Sequence, residues 1–327
     1  MHNSLRREVL RNLAAGALAG ALPFAAQAEA YPSKPIRWIV PYPVGGGSDF
    51  LARQAAPRMG RLLGTTIAVE NRPGAAGIIG TELASRAAPD GYTLVFGDNG
   101  AMVFNPALYR KLPYSPADFE PVGFMANFPL ILVADPASGI ASARDLIARA
   151  RAHPGKFSYA SPGAGSPHHM GMELLKERAG LFIVHVPYRG TAMAIQDVMA
   201  GTVPMMIVDT AGGLAQIRAG KVKALAVLSK SRIPQLPDVP TIAEAGVRDA
   251  EVSAWLGLYV PKGTPGEIVA RLNREMRAAL TEPDAKAALE KFGLQVAPSS
   301  PGELAEFVRR ETAVWHKLIR ERQLQLD

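Results

Sequence analysis

The sequence contains no cysteine, which removes thiol nucleophiles, thiolate metal sites and disulfides together. Stability must therefore come from packing across a sizeable apolar core. Charge is sparse as well, at 20% of residues against 48% hydrophobic, a balance that describes a folded globular chain and excludes extended disorder. The basic residues are scattered on helical patterns such as Arg271 to Arg277 and Arg309 to Arg322, without interleaved aromatics, so nucleic acid is excluded as a partner. No apolar run approaches the roughly 20 residues that a membrane-spanning helix needs. No fixed-period repeat covers the chain, which sets aside solenoids and propellers.

What is present begins at the N-terminus. Arg6, Arg7 and Arg11 precede an apolar run from Leu13 to Ala26, and Ala26-Gln27-Ala28 has the small-x-small form of a cleavage site. Residues 1–28 are therefore read as an export signal cleaved after Ala28, which places the mature protein in the periplasm. Arg6-Arg7-Glu8-Val9-Leu10 approximates a twin-arginine signal, with Leu5 where a Ser or Thr is usual. Removing three arginines and Glu8 takes the formal charge from +7 to +5, a mild positive field that favours anionic solutes.

At 327 residues the chain is long for one core, and two lobes are expected. Ile36 to Val40 reads as a strand, followed by a Gly-rich turn and a helical stripe of Leu51, Ala55, Met59 and Leu62. Strand, loop and helix recur through Thr66 to Val69 and Tyr92 to Phe96, and again from Leu130 to Leu228. This alternation predicts an α/β protein with mostly parallel sheets flanked by helices. Trp255 to Val260 reads as a returning strand before helices near 267–280 and 301–321. Lobe 1 is expected over 29–129 and 255–327, and lobe 2 over 130–254, with the ligand in the cleft between them.

Two loops carry the chemistry. In Pro43-Val44-Gly45-Gly46-Gly47-Ser48-Asp49, successive glycines let backbone N–H groups approach an anion at a helix start; an ordinary turn with Ser48 or Asp49 as N-cap uses the same residues. In Ala160 to His169, Ser161 and Ser166 offer hydroxyls to an oxygen-rich ligand, while Ser166 followed by Pro167 is also a plain helix start. The duplication favours a ligand, because open α/β sheets bind at the carboxyl ends of their strands. Asp209 ends another strand and is placed to enter the same cleft, or to cap the helix that follows.

Enzyme readings fare worse. Neither Ser161 nor Ser166 lies in Gly-x-Ser-x-Gly, and no acid is evident to orient His168 or His169. His169 and Glu173 stand four apart but lack a third metal ligand. Gly74 to Gly80 has Gly-x-x-Gly-x-x-Gly spacing, which a tight turn and helix packing explain better than a dinucleotide.

Together the motifs resemble the extracytoplasmic receptors of tripartite tricarboxylate transporters, the Bug proteins. The resemblance runs through Tyr31-Pro32-Ser33-Lys34-Pro35, Gly45-Gly46-Gly47 with Asp49, Val69-Glu70-Asn71-Arg72-Pro73-Gly74, Pro89-Asp90-Gly91-Tyr92, Gly165-Ser166-Pro167-His168-His169, Val186-Pro187-Tyr188-Arg189-Gly190, Pro240-Thr241-Ile242-Ala243-Glu244-Ala245-Gly246 and Trp255-Leu256-Gly257-Leu258. It implies a two-lobed periplasmic-binding-protein fold of type II kind, no catalysis, no cofactor and no metal. A small organic carboxylate is the implied ligand, membrane subunits of such a transporter are the implied partners, and the receptor is expected to be a monomer. Carried over by position, the ligand-binding residues are Gly46, Gly47, Asp49, Asn99, Ser161, Gly165, Ser166, His169, Tyr188 and Asp209. Val44 replaces a residue that is frequently proline in the family, and Asn99 stands where small hydroxyl residues are usual. Closure is expected about a hinge near 129–132 and 253–258. The alternatives are a carboxylate sensor feeding a signalling system and a secreted hydrolase using Ser161 or Ser166 with His169.

Overall fold

A computed structural model of the chain describes residues 31–326. The export segment read in the sequence lies outside the described residues.

The first half of the fold is built on three parallel strands, β1 (Ile36–Val40), β2 (Ile67–Asn71) and β3 (Thr93–Asp98), in the order β2-β1-β3. Helix α1 (Gly47–Leu63) follows β1 and buries Leu51, Ala55, Met59 and Leu63, the helical stripe that docks it on the sheet. It stops at Gly64, whose left-handed φ of 76° a residue with a side chain adopts only at a cost. Helix α2 (Ile78–Ser85) follows β2, and a wide helical turn over Asn99–Phe104 follows β3.

A single 16-residue strand, β4 (Phe119–Ala134), then carries the chain from one half to the other. Its first part pairs antiparallel with β9 (Ser253–Pro261), down to Pro129 opposite Ser253. Its last residues, Leu130 to Ala134, pair instead with β7 (Met205–Asp209) and β8 (Lys223–Val227). The sequence pattern exposes only the end of β4, because Pro121, Gly123 and Pro129 interrupt its first part and the register shifts at Pro121/Gly123 and Phe124/Ala126.

The second half repeats the strand-helix theme. Helices α3 (Ala143–Ala152), α4 (Pro167–Ala179), α5 (Thr191–Met199) and α6 (Thr210–Arg218) alternate with β5 (Ser158–Ser161), β6 (Val184–Pro187) and β7. Strand β5 runs parallel between β7 and β6. Alternate residues of these strands feed separate cores: Leu132, Tyr159 and Ile207 point to one face, and Ile131, Ala160 and Val208 to the other.

After β9, helices α7 (Gly266–Thr281) and α8 (Pro283–Phe292), the two-residue strand β10 (Gln295–Val296) and helix α9 (Pro301–Glu321) complete the chain. The α9 stripe buries Leu304, Trp315, Leu318 and Ile319. Trp315 packs edge-on to Phe104 at 4.9 Å, which fixes α9 on the first half. Among the described residues no helix is long and apolar enough to cross a membrane.

Candidate functional site

The carboxyl ends of the parallel strands concentrate the loops that sequence reasoning singled out. After β1, Val44, Gly45 and Gly46 are exposed, and no side chain caps the start of α1 at Gly46. The three glycines differ in role. Gly45 needs its left-handed φ of 82°, whereas a Cβ at Gly47 would lie 2.2 Å from Cζ of Phe128 on the crossing strand β4. Loop and crossing strand therefore touch through a missing side chain.

Asp49 holds this loop from within. Its carboxylate accepts from the Gly45 N–H at 2.9 Å and from Arg53 Nε at 2.9 Å. Burial alone would raise its pKa, but the hydrogen bonds from Arg53 and Gly45 outweigh it and hold the group below the usual carboxylate value. Asp49 thus clamps the loop from inside α1 without capping the helix, and Arg53 in turn reaches Asn71 Oδ1 at 2.9 Å, tying the loop to β2.

The turns after β2 and β3 add groups that the sequence did not advertise. Gly74, Ala75, Ala76 and Gly77 all have positive φ, an unusual conformation for two consecutive alanines. No side chain caps α2, which starts directly after them. At the end of β3, Asp98 is buried and raised in pKa by desolvation, partly offset by its hydrogen bonds from the Tyr42 hydroxyl and the Ala101 N–H. Asn99, expected at the ligand, is instead wholly buried: its amide donates to the Ser253 carbonyl at 3.1 Å and accepts from the Trp255 N–H at 2.9 Å. It fastens the β3 turn to the crossing strand β9.

In the second half, Ser161, Gly165, Ser166 and His169 come together in one cluster. Ser166 is the N-cap of α4, accepting from the His169 N–H at 3.2 Å and donating to the Gly163 carbonyl at 2.7 Å. The Gly165 N–H donates to Nδ1 of His169 at 3.1 Å, so the imidazole sits under the loop as an acceptor. Ser161 does not meet His169. Its hydroxyl pairs at 2.6 Å with Nε2 of His185, a β6 residue that sequence reasoning missed.

His185 lies between Tyr159 and His169, with ring centroids 4.9 Å and 4.2 Å away. Burial pushes both imidazoles down to about 4 from an ordinary 6.5, so both rings are neutral at physiological pH. Glu173 stands behind them, almost fully buried, accepting from Tyr159 at 2.9 Å and Lys176 at 2.5 Å. Its oxygen is 4.0 Å from Nε2 of His169. Desolvation opposes the charge of Glu173, but Lys176 and Tyr159 prevail and keep it ionised.

Asp209 ends β7 and caps the helix that follows. One oxygen accepts from the Gly212 N–H at 2.6 Å at the start of α6, and the other lies 3.2 Å from Nε2 of His168. Burial opposes its ionisation and the His168 hydrogen bond restores it, leaving the pKa below normal. Tyr188, expected at the ligand, keeps its backbone beside the site, with its N–H on the Ser161 carbonyl at 2.9 Å. Its hydroxyl instead donates to Asp197 at 2.6 Å, and desolvation together with that partner pushes its pKa up to about 12. Next to it, Gly190 starts α5 with no side-chain cap, and Arg189 is exposed.

A cavity of about 300 Å3 opens elsewhere, lined by Arg151, Lys176, Glu177, Phe182 and Arg322. It lies at the far end of α4, roughly 20 Å from the Ser161 to Ser166 loop by helix rise, and is separate from the strand-end loops. Among the described residues no group of three or more His, Cys, Asp and Glu side chains is arranged to hold a metal ion.

A family model described as tripartite tricarboxylate transporter family receptor matches residues 51–324. The chain belongs to this receptor family. As a member of this family of Bug-type solute receptors it is a binding protein and not an enzyme, with an α/β periplasmic-binding-protein fold of type II kind. It is 41% identical over 321 residues to a UPF0065 protein encoded in the tcbD-tcbE intergenic region of Pseudomonas sp. strain P51, covering 98% of this chain and 95% of that protein. It is 36% identical to BugT of Bordetella pertussis over 299 residues, 90% of this chain and 91% of BugT. Among solved structures, R. palustris Rpa4515 with adipate matches with a TM-score of 0.82 at 34% identity, over 89% of this receptor and 97% of that chain. MatC (Rpa3494) from Rhodopseudomonas palustris with bound malate matches with a TM-score of 0.80 at 33% identity, over 88% of the receptor and 100% of that chain.

Proposed function

We propose that this receptor works in the periplasm, where it captures a small organic carboxylate between its two lobes and delivers it to the membrane subunits of a tripartite tricarboxylate transporter. The observation that carries the reading is the pair of helix starts left without a side-chain cap at the carboxyl ends of β1 and β6, namely those of α1 and α5. Uncapped N–H groups and the helix dipole favour an anion at such positions. By contrast α4 and α6, which begin after β5 and β7, are capped by their own Ser166 and Asp209 and frame the site from the second lobe.

The acidic residues of the site are already engaged, Asp49 by Arg53 and Gly45 and Asp209 by His168 and Gly212, so they act as loop clamps toward an anionic ligand. Exposed Arg189 adds positive charge beside the α5 start. Adipate and malate on two relatives suggest a dicarboxylate. The first lobe comprises residues 29–129 with 255–327 and the second residues 130–254. Closure bends β4 and β9 near 129–132 and 253–258, where β4 changes partners.

The test is a titration of the chain from residue 29 onward against adipate, malate, citrate and single amino acids, read by calorimetry. Saturable one-to-one binding of a carboxylate is the expected result, and no heat or stabilisation with any acid overturns the reading.

A further inference from the structure

The second ligand loop rests on the last residues of the chain, which reach it from the other half of the molecule. Helix α9 is anchored on the first half by Trp315 against Phe104 and by His316 Nε2, 2.9 Å from the Val103 carbonyl. Directly after the helix, Arg322 donates to Oε2 of Glu173 at 3.2 Å. Glu173 is buried in the middle of α4, with Tyr159 and Lys176 on its other oxygen and His169 behind it.

The chain then turns back over the loop. The Leu326 N–H donates to the Leu108 carbonyl at 3.0 Å, and Arg110 donates to the Gln325 side chain at 2.8 Å, both partners lying in the first half. The side chain of Leu326 covers Gly165 so closely that a Cβ there would be 3.1 Å from its Cδ1, and Leu108 lies 3.3 Å from the same point. Gly165 also carries a left-handed φ of 77° and donates its N–H to His169. The loop is therefore held at two points by one short segment: at Gly165 directly, and through Glu173 and His169 from below.

We propose that Arg322 to Leu326 form a positioning strap that sets the conformation of the Ser161 to Ser166 ligand loop. Neither Arg322 nor Leu326 is assigned ligand contact; each acts through another residue, Arg322 through Glu173 and His169, Leu326 through Gly165. The role of that loop in ligand capture rests on the function proposed above, whereas the mechanical coupling does not. Because α9 travels with the first lobe and the loop with the second, the strap ties loop geometry to the relation between the lobes. The groups facing His169 are Glu173 and Lys176 on its own helix, Tyr159 on β5 and His185 on β6, with Arg322 reaching in from the tail.

The experiment uses the ligand-free chain from residue 29 and compares it with Leu326→Ala, Arg322→Gln and Arg322→Lys. Residue-level hydrogen exchange is followed at the amides of 163–166 and, as an internal reference, in β1 to β3. The His169 imidazole is titrated by NMR in the same samples. The strap predicts at least tenfold faster exchange at Gly165 in L326A with unchanged strands. In R322Q the His169 midpoint rises, because Glu173 loses a cation and its uncompensated charge favours the imidazolium, and R322K restores it. Unchanged Gly165 exchange in L326A, or acceleration shared equally by β1 to β3, contradicts the proposal, as does a His169 midpoint insensitive to R322Q. Binding of adipate and malate is measured separately. Failure of both acids to bind bears on the proposed function and leaves the exchange result to stand by itself.

Discussion

The hydroxyl of Ser161, at the end of β5, lies 2.6 Å from Nε2 of His185, the second residue of β6. That contact fixes a serine of the proposed ligand loop, because its hydroxyl is also engaged with the Gly163 carbonyl at 3.1 Å. A Ser–His pair of this kind invites a nucleophilic reading, yet His185 is stacked between two rings in a binding-protein family and serves to orient the serine.

Removing the orienting ring is expected to weaken binding more than folding. His185→Ala and Ser161→Ala should each lower ligand affinity about tenfold, with a non-additive double variant reporting a coupling of about 1 kcal/mol, the net worth of one hydrogen bond. Calorimetry on the four proteins of the cycle checks this. Fully additive losses would show that the pair is incidental.

The loop glycines should separate by role. Gly46→Ala meets nothing closer than the Pro43 carbonyl at 3.8 Å and is expected to fold normally. Gly47→Ala must displace the Phe128 ring on the crossing strand and should cost about 1–3 kcal/mol, as overpacking does. Chemical denaturation distinguishes the two; equal stabilities would contradict the close packing of loop and strand.

Asp49 clamps its loop through Gly45 and Arg53. Asp49→Ala removes the acceptor of both hydrogen bonds and is expected to cost about 1.5–3 kcal/mol in stability, on the scale of a charged hydrogen bond, and to lower affinity. Arg53→Ala should cost less than about 1 kcal/mol, since the arginine is half exposed and its ion pair is screened. Thermal melts at low and high salt give the comparison.

Much of this arrangement could be read in the sequence. Gly45 to Gly47 and Ser166-Pro167 announce loops that open helices, because glycine freedom and N-capping are local properties. Long-range partnerships left no local signal. Tyr42 meets Asp98 across 56 residues, and Arg322 meets Glu173 across 149. His185 is one histidine in a four-residue edge strand, with nothing nearby in sequence to mark its partner. Asn99 and Tyr188 were legible as polar residues at strand ends, but neither pattern nor resemblance reveals that Ser253, Trp255 and Asp197 already satisfy them.

Acid should loosen the second loop. The ordinary imidazole value is 6.5, and burial holds His169 and His185 at about 4 in the folded state. Between those values the unfolded chain takes up protons that the folded chain refuses, so stability is full above about 6.5, falls as pH drops toward 4, and gains no further loss from these groups below that. Denaturation midpoints measured across this window should decline, and His185→Asn should flatten the slope. An unchanged slope in that variant would contradict the neutral stacked pair.

Uncapped helix starts at the strand ends are proposed to capture a carboxylate. This is tested by calorimetric titration of the chain from residue 29 with adipate and malate, each beside the corresponding amide in which the carboxylates are neutralised. Saturable one-to-one binding of at least one acid is expected, with affinity reduced by a hundredfold or more for its amide. Equal affinity for acid and amide, or no binding by either acid, would contradict it.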